Sequence, residues 1–322
     1  MTPSPLPDDA IFIGGIPRSG TSLMRDIVGS DSDVAMFPSE LPLWRVIAIQ
    51  FARQDPSQRE VQVRLVGAVV NHPRMSQAGI VLDPGAILGA LASERAVTVG
   101  VVFAHVMRQY ARQRGRPRWG VKDPLNEFHA DRIFAEMPRA AFVHMVRDPR
   151  DVVTSQRGRW GGAAQHVVST TDAWRRSAAL ARERGTSARG YVAVRYEDLV
   201  AAPADVVRRV CDGLGLDYRP EMLERSWRPR SSNATWDPEL SGRRDIFRGA
   251  VARHLRQLPA ADACFIQLRA GREMARWGYS RQPRALSARD RGWIALRFAQ
   301  EFVWRGVRRV WSRPMRLARR PA

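Results

Sequence analysis

The stretch IFIGGIPRSGTSLMRD, residues 11–26, decides how the rest of the chain is interpreted. Its first three residues form a short apolar run that suits a buried parallel strand, and Gly14 and Gly15 end that run. Four apolar residues then recur at helical spacing: Leu23, Met24, Ile27 and Val28. The stretch therefore predicts a strand, a tight loop and a helix. Such a loop directs backbone N–H groups and the positive end of a helix dipole to one point, which suits a phosphate group.

The loop follows the spacing of a P-loop with one change. Residues 15–22 match G-x-x-x-x-G-K-[ST], except that Thr21 stands where the motif has its lysine. Because that lysine serves the β- and γ-phosphates of a nucleoside triphosphate, its absence argues against ordinary ATP or GTP hydrolysis. Arg18 places a cation inside the loop instead. The glycines alone would also suit a turn without a ligand, but the flanking strand and helix favour phosphate binding.

Composition and charge favour a globular enzyme that binds anions. The 322 residues are enough for one large α/β domain or two small ones, and 44% of them are hydrophobic. The net charge is +20, and the last 42 residues carry half of it, since twelve arginines there stand against Asp290 and Glu301. Of the 52 basic residues Lys122 is the one lysine, either by chance or because a compact ammonium is needed there.

Nothing in the sequence predicts export or membrane insertion. The first nine residues are rich in proline and acidic residues, and no run of 18 apolar residues follows. Cys211 and Cys264 lie in apolar, helix-like surroundings, and we interpret them as reduced thiols. These observations predict a cytoplasmic protein.

The rest of the chain alternates strands and helices. Strands are predicted at residues 33–37, 118–122, 140–146 and 191–195. Helices are predicted at residues 126–137, from 149 onward, and at 171–184, 203–214, 246–255 and 260–277. Residues 41–115 form a helical excursion broken at three prolines, and with the loop at residues 227–244 they would shape an acceptor pocket. For residues 1–280 this pattern predicts a P-loop-like, three-layer α/β fold with a mostly parallel sheet.

Polar clusters follow the predicted strands. They are Pro17 to Ser22, Pro38-Ser39-Glu40, Lys122-Asp123-Pro124, Arg147-Asp148-Pro149-Arg150 with Ser155, and Arg195 to Leu199. In a parallel sheet the ligand lies beyond the carboxyl ends of the strands. We therefore expect these clusters to form one shared site.

This set of motifs resembles the sulfotransferases that use 3′-phosphoadenosine 5′-phosphosulfate (PAPS). The resemblance is greatest to the branch with the tyrosylprotein sulfotransferases and the bacterial enzymes that have a P-R-S-G-T-[ST] loop, and it covers about residues 10–280. The loop alone is moderately specific. Together with R-D-x-R and a serine eight residues after its first arginine, it is strong. The resemblance implies PAPS as co-substrate and no metal.

The resemblance also implies which residues bind PAPS. The loop residues that would cradle the 5′-phosphosulfate are Pro17, Arg18, Ser19, Gly20, Thr21 and Ser22. Arg147 and Ser155 match the pair that holds the 3′-phosphate. Tyr196 matches a tyrosine near the adenine or its ribose phosphate, and Arg253 a basic residue that closes over the 3′-phosphate. On the residues alone, an Arg147–Asp151 ion pair and a solvent-facing Ser155 remain alternatives.

Three residues are implied to be catalytic. Lys122 matches a lysine that faces the scissile sulfate–phosphate bond, and Arg18 is a second cation for the charge on the leaving oxygen. Glu40 is the candidate base for the acceptor hydroxyl, although its segment matches the family less well. His129 is the alternative base, and His144, inside a predicted buried strand, is interpreted as structural.

Residues 281–322 form a basic tail. Apolar and aromatic residues recur there at helix-like steps, and arginines fill the other positions. A basic amphipathic helix of this kind suits the anionic inner face of a membrane, but it equally suits packing on the domain or an arm in a homodimer. We expect no specific nucleic acid binding, since charge alone gives only non-specific attraction.

Together these features predict a sulfotransferase that moves the sulfuryl group of PAPS to a hydroxyl acceptor by in-line displacement and releases 3′,5′-ADP. The acceptor is open: a protein tyrosine, a carbohydrate, a lipid or a small metabolite. One alternative is a nucleotide kinase or NTPase, in which Asp148 would bind Mg²⁺. The other is a non-catalytic nucleotide-binding protein that docks on membranes through its tail.

Overall fold

The computed structural model describes the backbone of residues 10–160, 165–185, 190–225 and 248–311. Its sheet has the order β2-β3-β1-β4-β5, with β1 Ala10–Gly14, β2 Val34–Glu40, β3 Arg118–Lys122, β4 Ala141–Val146 and β5 Tyr191–Arg195. Every pair of neighbouring strands in this sheet is parallel, which confirms the predicted parallel sheet. Because β1 is central, the loop that follows it opens at the middle of the carboxyl edge.

Six helices of the described chain precede β3, and all but the first lie within residues 41–115, which confirms that this region is largely helical. They are α1 Thr21–Val28, α2 Ala48–Gln50, α3 Arg59–Val70, α4 Pro73–Gln77, α5 Pro84–Leu91 and α6 Val99–Gln113, with one turn of π-helix at Leu43–Ile47. Pro73 and Pro84 each begin a helix, because proline lacks only an N–H group that is unpaired at that position anyway. The role of this region on the acceptor side stays a prediction.

Most of the later helices that the structure describes were predicted, two short ones were not, and two predicted helices differ from the structure. The later helices are α7 Ala130–Glu136, α8 Pro149–Trp160, α9 Gln165–Gly185, α10 Tyr196–Ala201, α11 Pro203–Leu214, α12 Glu221–Arg225, α13 His254–Gln257, α14 Ala260–Arg276 and α15 Ala288–Trp311, with 3₁₀ turns at Asn126–His129 and Arg248–Ala250. First, α9 begins before residue 171. Second, the helix predicted at residues 246–255 is wrong in its described part: Asp151 accepts the backbone N–H groups of Ala252 and His254, at 2.7 and 2.8 Å, which holds an irregular turn.

Strand side chains alternate between two helical layers. Phe12 packs with residues of α3, α5 and α6 on one face, whereas Ile11 and Ile13 pack with α1 and α11 on the other. A third cluster, with Val152 of α8, Trp174 of α9 and Phe265 of α14, lies next to the end of β4. The three-layer architecture is therefore as predicted.

The end of β2 differs from the prediction. Glu40 is the last residue of the strand and does not follow it. The pairing of β2 with β3 shifts in register between Met36 and Glu40, and Pro38 lies within this stretch of an edge strand, where proline is tolerated. After the shift, Glu40 is the register partner of Lys122.

The start of the basic tail packs against the domain. Trp293 and Phe298 of α15 contact Phe265 of α14, with ring centroids 6.1 and 5.1 Å apart, and Ile294 is buried. None of the described helices is long and apolar enough to cross a membrane. The predicted loop at residues 227–244 and the last eleven residues lie outside the described part of the chain, and the division at residue 280 stays a prediction.

Candidate active site

The loop after β1 is shaped by two glycines. Gly15 and Gly20 have φ angles of 139° and 93°, which side chains rarely adopt. A Cβ atom at Gly15 would lie 2.4 Å from the carbonyl oxygen of Met145, and one at Gly20 would lie 2.5 Å from the ring of Tyr196. Arg18 also has a positive φ of 80°, a costly conformation for a residue other than glycine that clusters at functional sites. The loop is therefore pressed closely against β4 and Tyr196.

The N-terminus of α1 has the open donors that an anion needs. Gly20 precedes the helix without a side-chain cap, and the first turn holds no acidic residue. The Ser19 hydroxyl is buried and has no hydrogen-bond partner among the described residues. Because buried polar groups are rarely left unpaired, this orphan hydroxyl fits a ligand oxygen such as that of a phosphosulfate.

Arg18 connects the loop with the residues predicted to hold the 3′-phosphate. Its Nε donates to Ser155 Oγ over 2.9 Å. Arg147 donates to the carbonyl oxygens of Arg18, at 2.9 Å, and of Ala250, at 2.5 Å, and its buried Nε has no partner among the described residues. Asp151 instead accepts from His254 Nδ1 at 2.7 Å, so the predicted alternative of an Arg147–Asp151 pair is not favoured. The structure thus brings Arg18, Arg147 and Ser155 together.

Tyr196 closes one side of this cluster. The guanidinium of Arg147 lies over its ring, 4.6 Å from the centroid. Burial raises the pKa of the Tyr196 hydroxyl, against the charge of Arg147. Arg253, the N-cap residue of α13, is half-buried, and no hydrogen bond joins its side chain to Arg147 or Ser155. The structure therefore places Tyr196 at the cluster and leaves the role of Arg253 a prediction.

Glu40 and Lys122 form an ion pair at the ends of β2 and β3. Glu40 Oε1 lies 2.7 Å from Lys122 Nζ, and their side chains are 37% and 3% exposed. Burial lowers the pKa of Lys122, and the charge of Glu40 opposes this. For Glu40, burial would raise the pKa, but the charge and hydrogen bond of Lys122, with Arg74 and Arg45, hold it below its usual range. Glu40 is therefore ionised at neutral pH and reachable from outside, as a general base must be.

The turn after β3 is held by Arg45. This residue of the π-helical turn donates to both carboxylate oxygens of Asp123, at 2.8 and 3.0 Å, in the forked geometry that suits guanidinium and carboxylate. His129, the alternative base, is half-buried nearby. Burial lowers its pKa, opposed by Asp123, so the ring is neutral at pH 7.

The oxygens of Asp148 are already engaged. Arg150 donates to Oδ1 at 3.0 Å and to Oδ2 at 2.6 Å, and both side chains are buried. The kinase alternative requires these oxygens as Mg²⁺ ligands. The buried ion pair therefore argues against that alternative.

Nothing in the sequence pointed to Glu127. Its Oε2 accepts the Gly15 N–H at 2.7 Å, and its Oε1 accepts the Ser177 hydroxyl at 2.8 Å. In the sequence, Glu127 is a single acidic residue between Asn126 and Phe128, and no motif or periodic pattern there separates it from an ordinary surface glutamate. His144 lies buried in β4, as interpreted, and bonds to Ser177.

Comparison with known proteins agrees with this geometry. A family model described as "Sulfotransferase family" matches residues 10–220, which include the whole sheet and the loop after β1. The chain belongs to the sulfotransferase family.

Two relatives and one solved structure show how far the similarity extends. This sulfotransferase-family chain is 28% identical over 239 residues to nodulation protein NoeE of Sinorhizobium fredii, with 66% of the chain and 51% of the relative covered. It is 24% identical over 231 residues to protein-tyrosine sulfotransferase A of Caenorhabditis elegans, again covering 66% of the chain and 51% of the relative. The chain thus spans about half the length of these relatives. The sulfotransferase domain of the Synechococcus PCC 7002 olefin synthase shares the fold, with a TM-score of 0.58, 22% identity, and 88% of this chain and 99% of that domain covered.

Proposed function

We propose that this sulfotransferase-family protein transfers the sulfuryl group of PAPS to a hydroxyl acceptor and releases 3′,5′-ADP. The observation that carries the proposal is the meeting of Arg18, Arg147 and Ser155 beside the loop at residues 15–22. A 3′-phosphate distinguishes PAPS from ATP, and a guanidinium with a nearby hydroxyl suits a phosphate. Membership of the sulfotransferase family supports the same chemistry.

The two ends of the donor would be held by different residues. We assign the 5′-phosphosulfate to the loop and the start of α1, where the Ser19 hydroxyl is unpaired among the described residues. Arg147 and Ser155 would take the 3′-phosphate, with Tyr196 beside it. Since Arg18 lies in the loop and bonds to Ser155, its guanidinium would lie between the 5′-phosphosulfate and the 3′-phosphate.

Bound PAPS supplies an electron-poor sulfur atom and a phosphate leaving group. Glu40, ionised and partly exposed, accepts the proton of the acceptor hydroxyl. Lys122 and Arg18 supply the cations that the charge on the leaving oxygen requires. Because that charge builds only as the bond to sulfur breaks, these cations stabilise the transition state more than the bound substrates.

Calorimetry without Mg²⁺ tests the donor site. We expect 3′,5′-ADP to bind more tightly than ATP, and Arg147→Ala to weaken 3′,5′-ADP by roughly tenfold or more, the loss of about one charge-assisted hydrogen bond. Arg114→Ala is the matched control, because Arg114 also lies over a tyrosine ring, 5.1 Å from the centroid of Tyr110, away from the loop. A preference for Mg·ATP, or an unchanged affinity in Arg147→Ala, would transfer the assignment to the kinase alternative.

We further propose that the acceptor reaches Glu40 from the side of residues 41–115. Arg45 and Arg74 of this region both act on the Glu40 carboxylate. A tyrosine peptide, a sugar, a lipid alcohol and a small phenol are the acceptors to compare. Arg74→Ala is expected to raise the KM of the true acceptor and to leave 3′,5′-ADP binding unchanged. An unchanged KM would argue against this approach.

For the basic tail we propose contact with an anionic membrane surface. The start of α15 packs on α14, yet Leu296 remains 55% exposed among arginines. Binding to vesicles with and without phosphatidylglycerol, measured by sedimentation for the wild type and for Leu296→Glu, tests this. Binding that needs the anionic lipid and is weakened by the substitution supports the proposal. A dimer in light scattering without vesicle binding would favour the dimer arm.

A further inference from the structure

A chain of buried hydrogen bonds lies beneath the loop. Tyr191 Oη is 2.6 Å from His144 Nδ1, and His144 Nε2 is 2.8 Å from Ser177 Oγ. Ser177 Oγ is 2.8 Å from Glu127 Oε1, and Glu127 Oε2 accepts the N–H of Gly15 at 2.7 Å. We name these four side chains, Tyr191, His144, Ser177 and Glu127, the buried relay. They join β5, at the edge of the sheet, to Gly15, the first residue of the loop at residues 15–22.

An ionised Glu127 sets the direction of every bond in the buried relay. A carboxylate only accepts hydrogen bonds, so Ser177 must donate to it and accept from His144 Nε2–H. Burial lowers the pKa of His144 to about 3, so the ring is neutral, and its Nδ1 accepts the Tyr191 hydroxyl. All donors then point towards Glu127, and each polar group has a partner.

The same groups are also paired when Glu127 carries a proton. Glu127 Oε1–H then donates to Ser177, Ser177 donates to His144 Nε2, and His144 Nδ1–H donates to Tyr191 Oη. In this change Tyr191 takes one proton from water and passes its own hydroxyl proton to His144 Nδ1. His144 passes the proton of Nε2 to Ser177, and Ser177 passes its hydroxyl proton to Glu127 Oε1, where the new O–H bond forms. The Gly15 N–H stays bonded to Glu127 Oε2 in both states.

The charge of Glu127 lies beneath a site for anions. Burial raises the pKa of Glu127 to about 7, assisted by the charge of Asp123 and opposed by the bonds from Ser177 and Gly15. The other charges that act on the buried relay are Asp131 and Arg184. Because like charges repel strongly where water is excluded, an anion in the loop favours the neutral acid further.

We propose that Glu127 is a positioning residue that holds Gly15 in both of its protonation states and takes up one proton through the buried relay when the anionic donor or 3′,5′-ADP occupies the loop. The inference rests on the proposed function, because it requires that anion. Tyr191, at the outer end of the relay, lines an open cavity of about 480 Å³ beside β5, and water in this cavity is the proton source that the proposal requires.

Calorimetry of 3′,5′-ADP binding between pH 6.5 and 8.5, in two buffers of different ionisation enthalpy, measures affinity and proton uptake together. Glu127→Gln imitates the protonated acid, since its amide oxygen accepts from Gly15 and its amide nitrogen donates to Ser177. Relative to this variant at pH 7.5, the wild type is expected to take up about half to three quarters of a proton more per ligand, because a carboxyl with a pKa of about 7 is partly protonated before the ligand binds. The affinity of the wild type for 3′,5′-ADP, divided by that of Glu127→Gln, should fall by up to about tenfold per pH unit above pH 7.

Two further variants separate positioning from a general structural effect. Ser177→Ala removes a hydrogen-bond donor that stabilises the carboxylate of Glu127. The pKa of Glu127 should therefore rise, and the fall in affinity should begin at a higher pH. Glu136→Gln is the matched control, because Glu136 Oε2 accepts the Gly100 N–H at 2.6 Å at the start of α6, away from the loop. It should keep the proton uptake of the wild type.

The outcomes distinguish this inference from the proposed function. A wild type that binds 3′,5′-ADP with the same proton uptake and pH dependence as Glu127→Gln overturns the inference and leaves the proposed function intact. If Glu127→Gln does not fold, an unshifted pH dependence in Ser177→Ala overturns it. A wild type that does not bind 3′,5′-ADP at all overturns both.

Discussion

Glu40 Oε1 lies 2.7 Å from Lys122 Nζ, although 82 residues separate them in the chain. The contact joins the last residue of β2 to the last residue of β3 after a shift in their register. It pairs the proposed base with the proposed cation for the leaving group, and each charge favours the ionised form of the other.

Replacing Lys122 by alanine is expected to lower kcat for sulfuryl transfer by about 10²–10³-fold, the usual cost of removing one transition-state donor. Lys122→Arg should be nearly as harmful, because the side chain is 3% exposed and leaves little room for a planar guanidinium. Affinity for 3′,5′-ADP should change far less than kcat. Steady-state kinetics and calorimetry check this, with the surface variant Arg64→Ala as control. An equal loss in both quantities would show that Lys122 acts in ground-state binding.

The titration of Lys122 can be observed directly because the chain has one lysine. Burial lowers its pKa, and the charge of Glu40 raises it. We therefore expect isotope-labelled lysine to give one side-chain NMR signal that titrates below the ordinary value of 10.5. In Glu40→Gln the midpoint should be lower still. An unchanged midpoint in that variant would mean that the ion pair does not persist in solution.

Gly20→Ala is expected to weaken 3′,5′-ADP binding by about tenfold or more, since a new Cβ would lie 2.5 Å from the Tyr196 ring. Gly79→Ala is the matched control, because Gly79 also has a positive φ, of 63°, but a Cβ there would meet no atom within 4 Å. Both variants should lose about 1 kcal/mol of unfolding free energy from backbone strain. Calorimetry and urea unfolding measure the two effects. Equal binding losses would place the cause in strain and not in the contact with Tyr196.

Asp151→Ala is expected to lower the free energy of unfolding by about 2–4 kcal/mol, because two buried backbone N–H groups and His254 Nδ1 lose their acceptor. Burial would raise the pKa of Asp151, but the His254 hydrogen bond and the Arg147 charge hold it below its ordinary value of 3.8. The contribution of Asp151 to the free energy of unfolding is therefore fully present above about pH 4, and it is lost as the pH falls through the pKa that Asp151 has in the folded state.

Urea unfolding of the wild type and Asp151→Ala at pH 7 and at pH 3 checks this sign. The difference between them should be largest at pH 7 and smaller at pH 3. Asp55→Ala, at an exposed turn where the carboxylate accepts the Ser57 N–H, should change stability little. A difference that grows towards acid pH would contradict the assignment.

Local sequence patterns predicted most of the fold. The apolar runs of β1 and β4, the glycines of the loop and the prolines at helix starts each act within a few residues, so spacing alone reveals them. Parallel strands place their carboxyl ends at one edge, and the loop, Lys122 and Arg147 were therefore predicted to converge. The helix predicted at residues 246–255 was wrong because a distant acceptor, Asp151, holds its backbone differently.

Hydrophobic periodicity and turn chemistry are local properties, and they were enough to predict the parallel α/β fold and the residue types gathered at its carboxyl edge. Which of those residues touch depends on the packing of the whole chain. The register shift that sets Glu40 against Lys122, the bond from Arg18 to Ser155 and the attachment of Glu127 to Gly15 join residues 82, 137 and 112 positions apart. Such contacts depend on how strands pair and layers pack, and no local pattern records that geometry.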